Sequence, residues 1–126
     1  MRHPVTPTDI HPELGSYSHG VVADGTVLHV SGQAPIDVDG HLVEGDVTAQ
    51  AEQVFANLAA VVRRAGADLD AVVKLTTFLI DGADAGPVGA VRDRWFTAPY
   101  PASSVVVVAG LLVAEWRLEV EAVAVM

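Results

Sequence analysis

The chain has no cysteine, a single lysine and few aromatic residues, which make up 6% of its 126 positions. Without cysteine there is no disulfide, no thiol nucleophile and no thiolate metal site. Lys74 and the arginines give 7 cations against 16 acidic residues, a formal net charge of −9. A protein that grips a phosphate backbone needs a basic stripe, so nucleic acid is not an expected partner. No apolar run reaches the ~18 residues a transmembrane helix needs. The opening MRHPVTPTDIHPELG contains no signal-like apolar segment. No membrane partner is expected, and the sequence reads as a soluble cytoplasmic protein.

What the chain does have is hydrophobicity, with 51% apolar and 18% charged residues. Its length fits one domain over residues 1–126, since about 100–150 residues is common. A domain this small exposes much of its surface, so surplus apolar residues point to a subunit interface.

Residues 1–16 carry Pro4, Pro7 and Pro12 and read as an extended N-terminal arm. Ser18–Ala23 and Thr26–Ser31 are strand-like runs joined by Asp24-Gly25, a hairpin signal. A turn at Asp37–Gly40 leads into a short segment, His41–Val43. Asp46 is a good N-cap for a helix whose apolar stripe runs Val47, Ala51, Val54, Phe55, Leu58, Val61, Val62 and Ala65. Gln50, Gln53, Asn57, Arg63 and Arg64 fall largely off that stripe, and Gly66 stops the helix. Val72–Ile80 is a β-branched strand, and Gly86–Phe96 a weaker helix with Pro87 in its first turn. The valines within Ser104–Ala109 are apolar on both faces, which predicts a strand inside the sheet. Trp116–Val125 alternates, with Leu118, Val120, Ala122 and Ala124 on one side and Arg117, Glu119, Glu121, Val123 and Val125 on the other. The order β-β-(β)-α-β-α-β-β predicts an α+β sandwich, a mixed sheet with two helices on one face. The uncovered face is the expected subunit interface.

Gly15-Ser-Tyr17-Ser, Val30-Ser-Gly-Gln-Ala-Pro35, Val43-Glu-Gly-Asp46, Asn57-Leu, Asp70-Ala-Val-Val-Lys-Leu-Thr-Thr-Phe-Leu79, Pro101-Ala-Ser-Ser and Leu118-Glu-Val-Glu-Ala-Val-Ala124 follow one another along the chain. In this order and spacing they resemble the Rid family, the reactive intermediate deaminases also called YjgF-like proteins. The resemblance implies a chorismate-mutase-like fold and a homotrimer with ligand clefts between neighbouring subunits. It also implies hydrolysis of imines and enamines of 2-amino acids to 2-keto acids and ammonia, without a cofactor. By the same resemblance Tyr17 closes the site, Ser31-Gly32 lines it, and Glu119 with the carbonyl of about Val105 positions the attacking water.

One position departs from the pattern. Where the family motif reads Pro-Ala-Arg-Ser, with the arginine holding the substrate carboxylate, this chain reads Pro101-Ala102-Ser103-Ser104. A guanidinium holds a carboxylate by two charge-assisted hydrogen bonds, each contributing about 1.5–3 kcal/mol. A serine has one uncharged donor. Its loss should weaken a small 2-imino acid by roughly two to four powers of ten, so the usual substrates are poor candidates for this chain.

Other candidates have ordinary readings beside the functional ones. Arg117 shares a strand face with Glu119 and is a candidate replacement cation, or an ion-pair partner of Glu119 or Glu121. Arg92 and Arg94 lie on the second helix, where solvated positions are common; Arg92 lies close to Gly89, which the resemblance brings near the cleft. His29 and Ser31, two residues apart on a strand, point the same way; His29 is a general base or a hydrogen-bonded interface residue. His19 carries the same choice, while His3, His11 and His41 fall in the arm and a turn. No H-E-x-x-H or similar spacing appears, so no metal is expected. No supported base is visible for Ser31, Ser103 or Ser104 as nucleophiles. These readings favour an imine or enamine hydrolase or tautomerase. A non-catalytic, metabolite-binding or chaperone-like trimer comes second, and a ribonuclease last, because net charge −9 repels phosphate.

Overall fold

A computed structural model describes residues 2–126. Strands β1 (Arg2–Val5), β2 (Gly20–Ala23) and β3 (Val27–Gln33) precede helix α1 (Val47–Arg64). Strand β4 (Val72–Leu79), helix α2 (Ala85–Trp95), strand β5 (Ala102–Val107) and strand β6 (Leu118–Val125) complete the order. The main sheet is four-stranded, β3-β6-β4-β5, and β4 with β5 is its parallel pair. Both helices pack on one face of it, as the alternation of the strands predicts.

Helix α1 forms where the sequence signals it. The Asp46 carboxylate accepts the Ala49 N–H at 3.0 Å, satisfying one of the orphan donors of the first turn. Gly66, at φ +97°, lets the chain leave in the left-handed region. Val54, Phe55, Leu58 and Val62 are fully buried, together with Leu75 and Leu79 of β4 and Leu118, Val120 and Ala124 of β6. The alternation of β6 is observed as read, with Leu118, Val120, Ala122 and Ala124 all in the core.

Several local expectations are corrected. The runs flanking Asp24-Gly25 do not form a hairpin: β2 pairs with β1, while β3 pairs with β6. The chain end sets this, because Thr26 and Met126 exchange both backbone hydrogen bonds at 2.9 Å. The N-terminal arm therefore begins as a paired strand; Met1 lies outside the described residues. His41–Val43 makes an isolated bridge, Ile36 to Leu42, and not a strand. The valine-rich strand β5 is the outer strand of the sheet, and Val105, Val106 and Val107 are exposed in the single chain.

Gln50 is buried and not on the solvent side of α1. Its Nε2 donates to the Glu115 carbonyl at 3.1 Å and its Oε1 accepts the Arg117 N–H at 2.9 Å. This amide satisfies the irregular backbone that leads into β6. Gln50→Leu should leave both backbone groups without partners and cost about 1–3 kcal/mol. A urea midpoint lowered at unchanged m-value is the expected result.

The helices are tied by Glu52 of α1, which accepts hydrogen bonds from Arg94 and, at 3.0 Å, from Trp95 Nε1. The Arg94 hydrogen bond lowers the Glu52 pKa, desolvation partly opposes it, and the Trp95 bond lowers it further. A carboxyl depressed in the folded state stabilises it above the unfolded pKa and loses that contribution as pH falls through the folded one. Glu52→Gln should thus lower the neutral plateau slightly, leave stability below the folded pKa nearly unchanged, and so flatten the acid limb of a stability-against-pH curve.

Candidate functional site

The residues singled out from the sequence fall into two groups at opposite edges of the main sheet. The first lies where β3 meets β6, on the face without helices. Ser31 and Gly32 sit in a register irregularity between Val30 and Gln33, where β3 bulges against β6. Glu119 lies across from Phe78 of β4, half-buried, with its carboxylate packed against Gly32. A Cβ on Gly32 would collide with Glu119 Oε2, so glycine is required for the carboxylate to lie there. Among the described residues, Glu119 has no hydrogen-bond or ion-pair partner. His29 is exposed opposite Val123 on the same face.

The second group gathers at β5. Ser18 docks the early segment there: it bridges Ala102 in parallel, its N–H bonds the Pro101 carbonyl at 3.1 Å, and its buried Oγ bonds the Tyr100 carbonyl at 2.6 Å. That docking brings Tyr17 to the beginning of β5. The Tyr17 hydroxyl accepts the Leu14 N–H at 3.1 Å, and its ring meets His19 edge-on at 5.6 Å. His19 in turn meets His11 at 5.0 Å.

Ser103 and Val105 pair in register with Leu75 and Thr77, both buried, so their side chains lie on the helix side of the sheet. The Ser103 Oγ is buried without a hydrogen-bond partner, and Val105 is 45% exposed. The strand order puts β3 and β5 three strand spacings apart, about 14 Å. One chain does not bring Ser31, Gly32 and Glu119 together with Tyr17, Ser103 and Val105.

Arg117 joins neither group. Its guanidinium grips Asp84 through Nη2 at 2.7 Å and Nε at 3.2 Å, and Asp84 is buried. This bidentate pair replaces the expected contact with Glu119 or Glu121. Asp84 is not legible as its partner from the sequence, because the two are 33 residues apart with no pattern linking them. Asp81 caps the turn before α2, accepting the Ala83 N–H at 2.9 Å, which leaves Asp84 for the arginine.

Two further features bear on binding. Asp37, Asp39 and His41 bring one ligand atom each within 4.8 Å of one another. The Asp37 Oδ1 already accepts the Asp39 and His41 N–H groups at 3.0 Å, so the cluster is explained as a carboxylate-braced turn. A cavity of about 460 Å³ lies between α1 and the loop after β3, lined by residues that include Ile36, Val38, Gln53 and Asn57. Asp37 lines it as well, but Tyr17, Ser31, Gly32, Ser103, Val105 and Glu119 do not. Among the described residues, no helix is long and apolar enough to cross a membrane.

Comparison with known proteins places these positions in context. The family model described as endoribonuclease L-PSP matches residues 8–126. The chain is 41% identical over 114 residues to protein DfrA of Myxococcus xanthus, covering 89% of this chain and 86% of that one. It is 36% identical over 126 residues to the 2-iminobutanoate/2-iminopropanoate deaminase of Mus musculus, covering 99% and 92% respectively. Among solved structures, YyfB from Yersinia pestis, a protein of unknown function in the Rid family, superposes with a TM-score of 0.90 at 34% identity. That alignment covers 99% of this chain and 98% of YyfB.

Proposed function

The chain belongs to the Rid (YjgF-like) family, and from that premise we propose that it hydrolyses or tautomerises an imine or enamine in a cleft between subunits of a homotrimer. The observation that carries the reading is the unpartnered Glu119 carboxylate lying against Gly32. A half-buried carboxylate with open acceptor sites is suited to hold a water and take its proton. The separation of the two residue groups supports the oligomer. A neighbour that sets its β5 edge against the β3–β6 edge would bring Tyr17, Ser103 and the Val105 carbonyl to Glu119 and Ser31-Gly32. It would also cover the exposed valines of β5, an edge that otherwise invites uncontrolled pairing.

In the proposed reaction, water adds to the C=N carbon while Glu119 accepts its proton. Glu119 returns that proton to the nitrogen to give a carbinolamine; it then takes the hydroxyl proton and passes it to the nitrogen as the C–N bond breaks, and a carbonyl compound and ammonia leave. For an enamine, Glu119 delivers a proton to carbon first. Ser103 offers no bidentate clamp, so small 2-imino acids are not the expected substrates. The same substitution favours a second reading, a trimer that binds a metabolite without turning it over. Net charge −9 opposes nuclease action.

The test is product release from imines generated in situ by amino-acid and amine oxidases, with semicarbazide competing for the imine. Acceleration over a protein-free control for larger or differently substituted imines, with small 2-imino acids slow, is expected. Ligand binding with no acceleration across the panel would instead establish the binding protein.

A further inference from the structure

The imine-hydrolysis reading leaves open what replaces the strand arginine, and the structure points to Arg92. Most of the other cations are committed. Arg2 donates to the backbone carbonyls of Asp70, Val72 and Pro99. Arg63, Arg94 and Arg117 pair with Asp68, Glu52 and Asp84. Lys74 bonds Ser104 Oγ at 2.8 Å, on the face away from the helices, and Arg64 is exposed at the end of α1. Arg92 differs from all of these. Its side chain is only 16% exposed, and its nearest carboxylate is the neighbouring Asp93 at 3.6 Å. Its Nε is buried with no acceptor. A guanidinium so enclosed and so poorly paired is costly unless something anionic completes it.

The position of Arg92 follows from α2. At ~100° per residue, the buried Val88 and Val91 define the core side of the helix. Arg94, bonded to Glu52, defines the flank toward α1, while Trp95 falls on the core side between the two valines. Arg92 and Gly89 then fall on the opposite flank, over the outer strand β5. The level along β5 is set by two contacts. A Cβ on Gly82, just before α2, would sit 3.7 Å from Val107 Cγ2, while Trp95 and Phe96 share a small cavity with Pro101. So α2 runs antiparallel over β5. Arg92 stands four residues before Phe96, about 6 Å back along the helix, or roughly two strand residues on from Pro101. That is the level of Ser103.

Arg92 Nε and Ser103 Oγ are the buried side-chain polar atoms without hydrogen-bond partners among the described residues, and the helix and strand rises put them at about the same level along β5. Gly89 leaves the space beside them open, since a Cβ there would meet only Arg92 Nη2 at 3.8 Å. We propose that Arg92 and Ser103 together hold a substrate carboxylate, the cation coming from the helix layer instead of the strand. A carboxylate gripped from the helix layer is set back from one held by a strand arginine. The substrate class is therefore an imine or enamine whose carboxylate is separated from the C=N carbon.

Calorimetric titration with three five-carbon product analogues tests this: 4-oxopentanoate, 2-oxopentanoate and pentan-2-one. The wild-type trimer should bind 4-oxopentanoate at least tenfold tighter than the other two. Arg92→Gln should abolish that preference and leave the binding of pentan-2-one unchanged. Arg92→Lys should keep part of it. Should Arg92→Gln assemble poorly, Arg92→Met retains the aliphatic packing without the charge. Equal binding of all three ligands by the wild type, tighter binding of 2-oxopentanoate, or a preference that survives loss of the charge would each overturn the proposal. Binding through Arg92 with no product from any imine would refute hydrolysis and leave the carboxylate site standing.

Discussion

Replacing Glu119 by glutamine should lower turnover by ~10²–10⁴, the usual contribution of a positioned acid–base group, with fold and assembly intact. Glutamine is nearly isosteric, so it can occupy the space that Gly32 leaves beside Oε2. It keeps a carbonyl that can accept a hydrogen bond from water, but it cannot take the proton. The substitution removes no ion pair or hydrogen bond, because Glu119 makes none with the described residues. A stability loss is therefore not expected, and size-exclusion chromatography and circular dichroism should match the wild type. Turnover equal to that of the wild type would remove Glu119 from the mechanism. Gly32→Ala reaches the same carboxylate from the other side. Its added methyl must displace the Glu119 side chain, and a comparable loss is expected with glutamate still present.

The parts of the fold that the sequence made legible are those where one signal dominates. Helix α1 has a capping aspartate, a continuous apolar stripe and a terminal glycine, and it lies within a residue of where these place it. Strand β6 alternates so regularly that every inward residue is buried. The misread places are those where local and long-range signals compete. Asp24-Gly25 has hairpin chemistry, but Thr26 bonds Met126 at the far end of the chain, a partner that no local pattern discloses. The valines of β5 match a buried strand in composition, because a strand at an outer edge and one inside a sheet are equally apolar if the edge is later covered. Gln50 falls largely off the apolar stripe by residue type, yet irregular backbone near Glu115 and Arg117 needs a donor and an acceptor at that place.

The candidate site was legible only through the motifs and not through periodicity. Glu119 and Glu121 alternate alike on β6, and what separates them is the glycine facing one carboxylate. The role read here for Arg92 needs the helix flank, the direction of α2 over β5 and the two unpartnered atoms, none of which a sequence displays. By contrast, the departure at Ser103 was visible as a single letter out of pattern.

That letter can be restored. Ser103→Arg should raise kcat/KM for small 2-imino acids by roughly two to four powers of ten, the value of two charge-assisted hydrogen bonds at about 1.5–3 kcal/mol each. The position suits the test, because the Ser103 Oγ is enclosed yet bonded to nothing, so no existing contact is broken. Val105 farther along β5 is partly exposed, which leaves room for the longer side chain to reach outward along the edge. Arg92 complicates the single variant, since a second guanidinium at its level meets like-charge repulsion. The double variant Ser103→Arg/Arg92→Gln removes that repulsion and should show the larger gain on 2-imino acids while losing the binding of 4-oxopentanoate. Initial rates of keto-acid release across the two variants and the wild type decide the matter. A gain in the double variant that exceeds the single one places both residues at one anionic subsite. No gain in either would mean that position 103 does not face the reacting imine, and the low expectation for small 2-imino acids would then need a different cause.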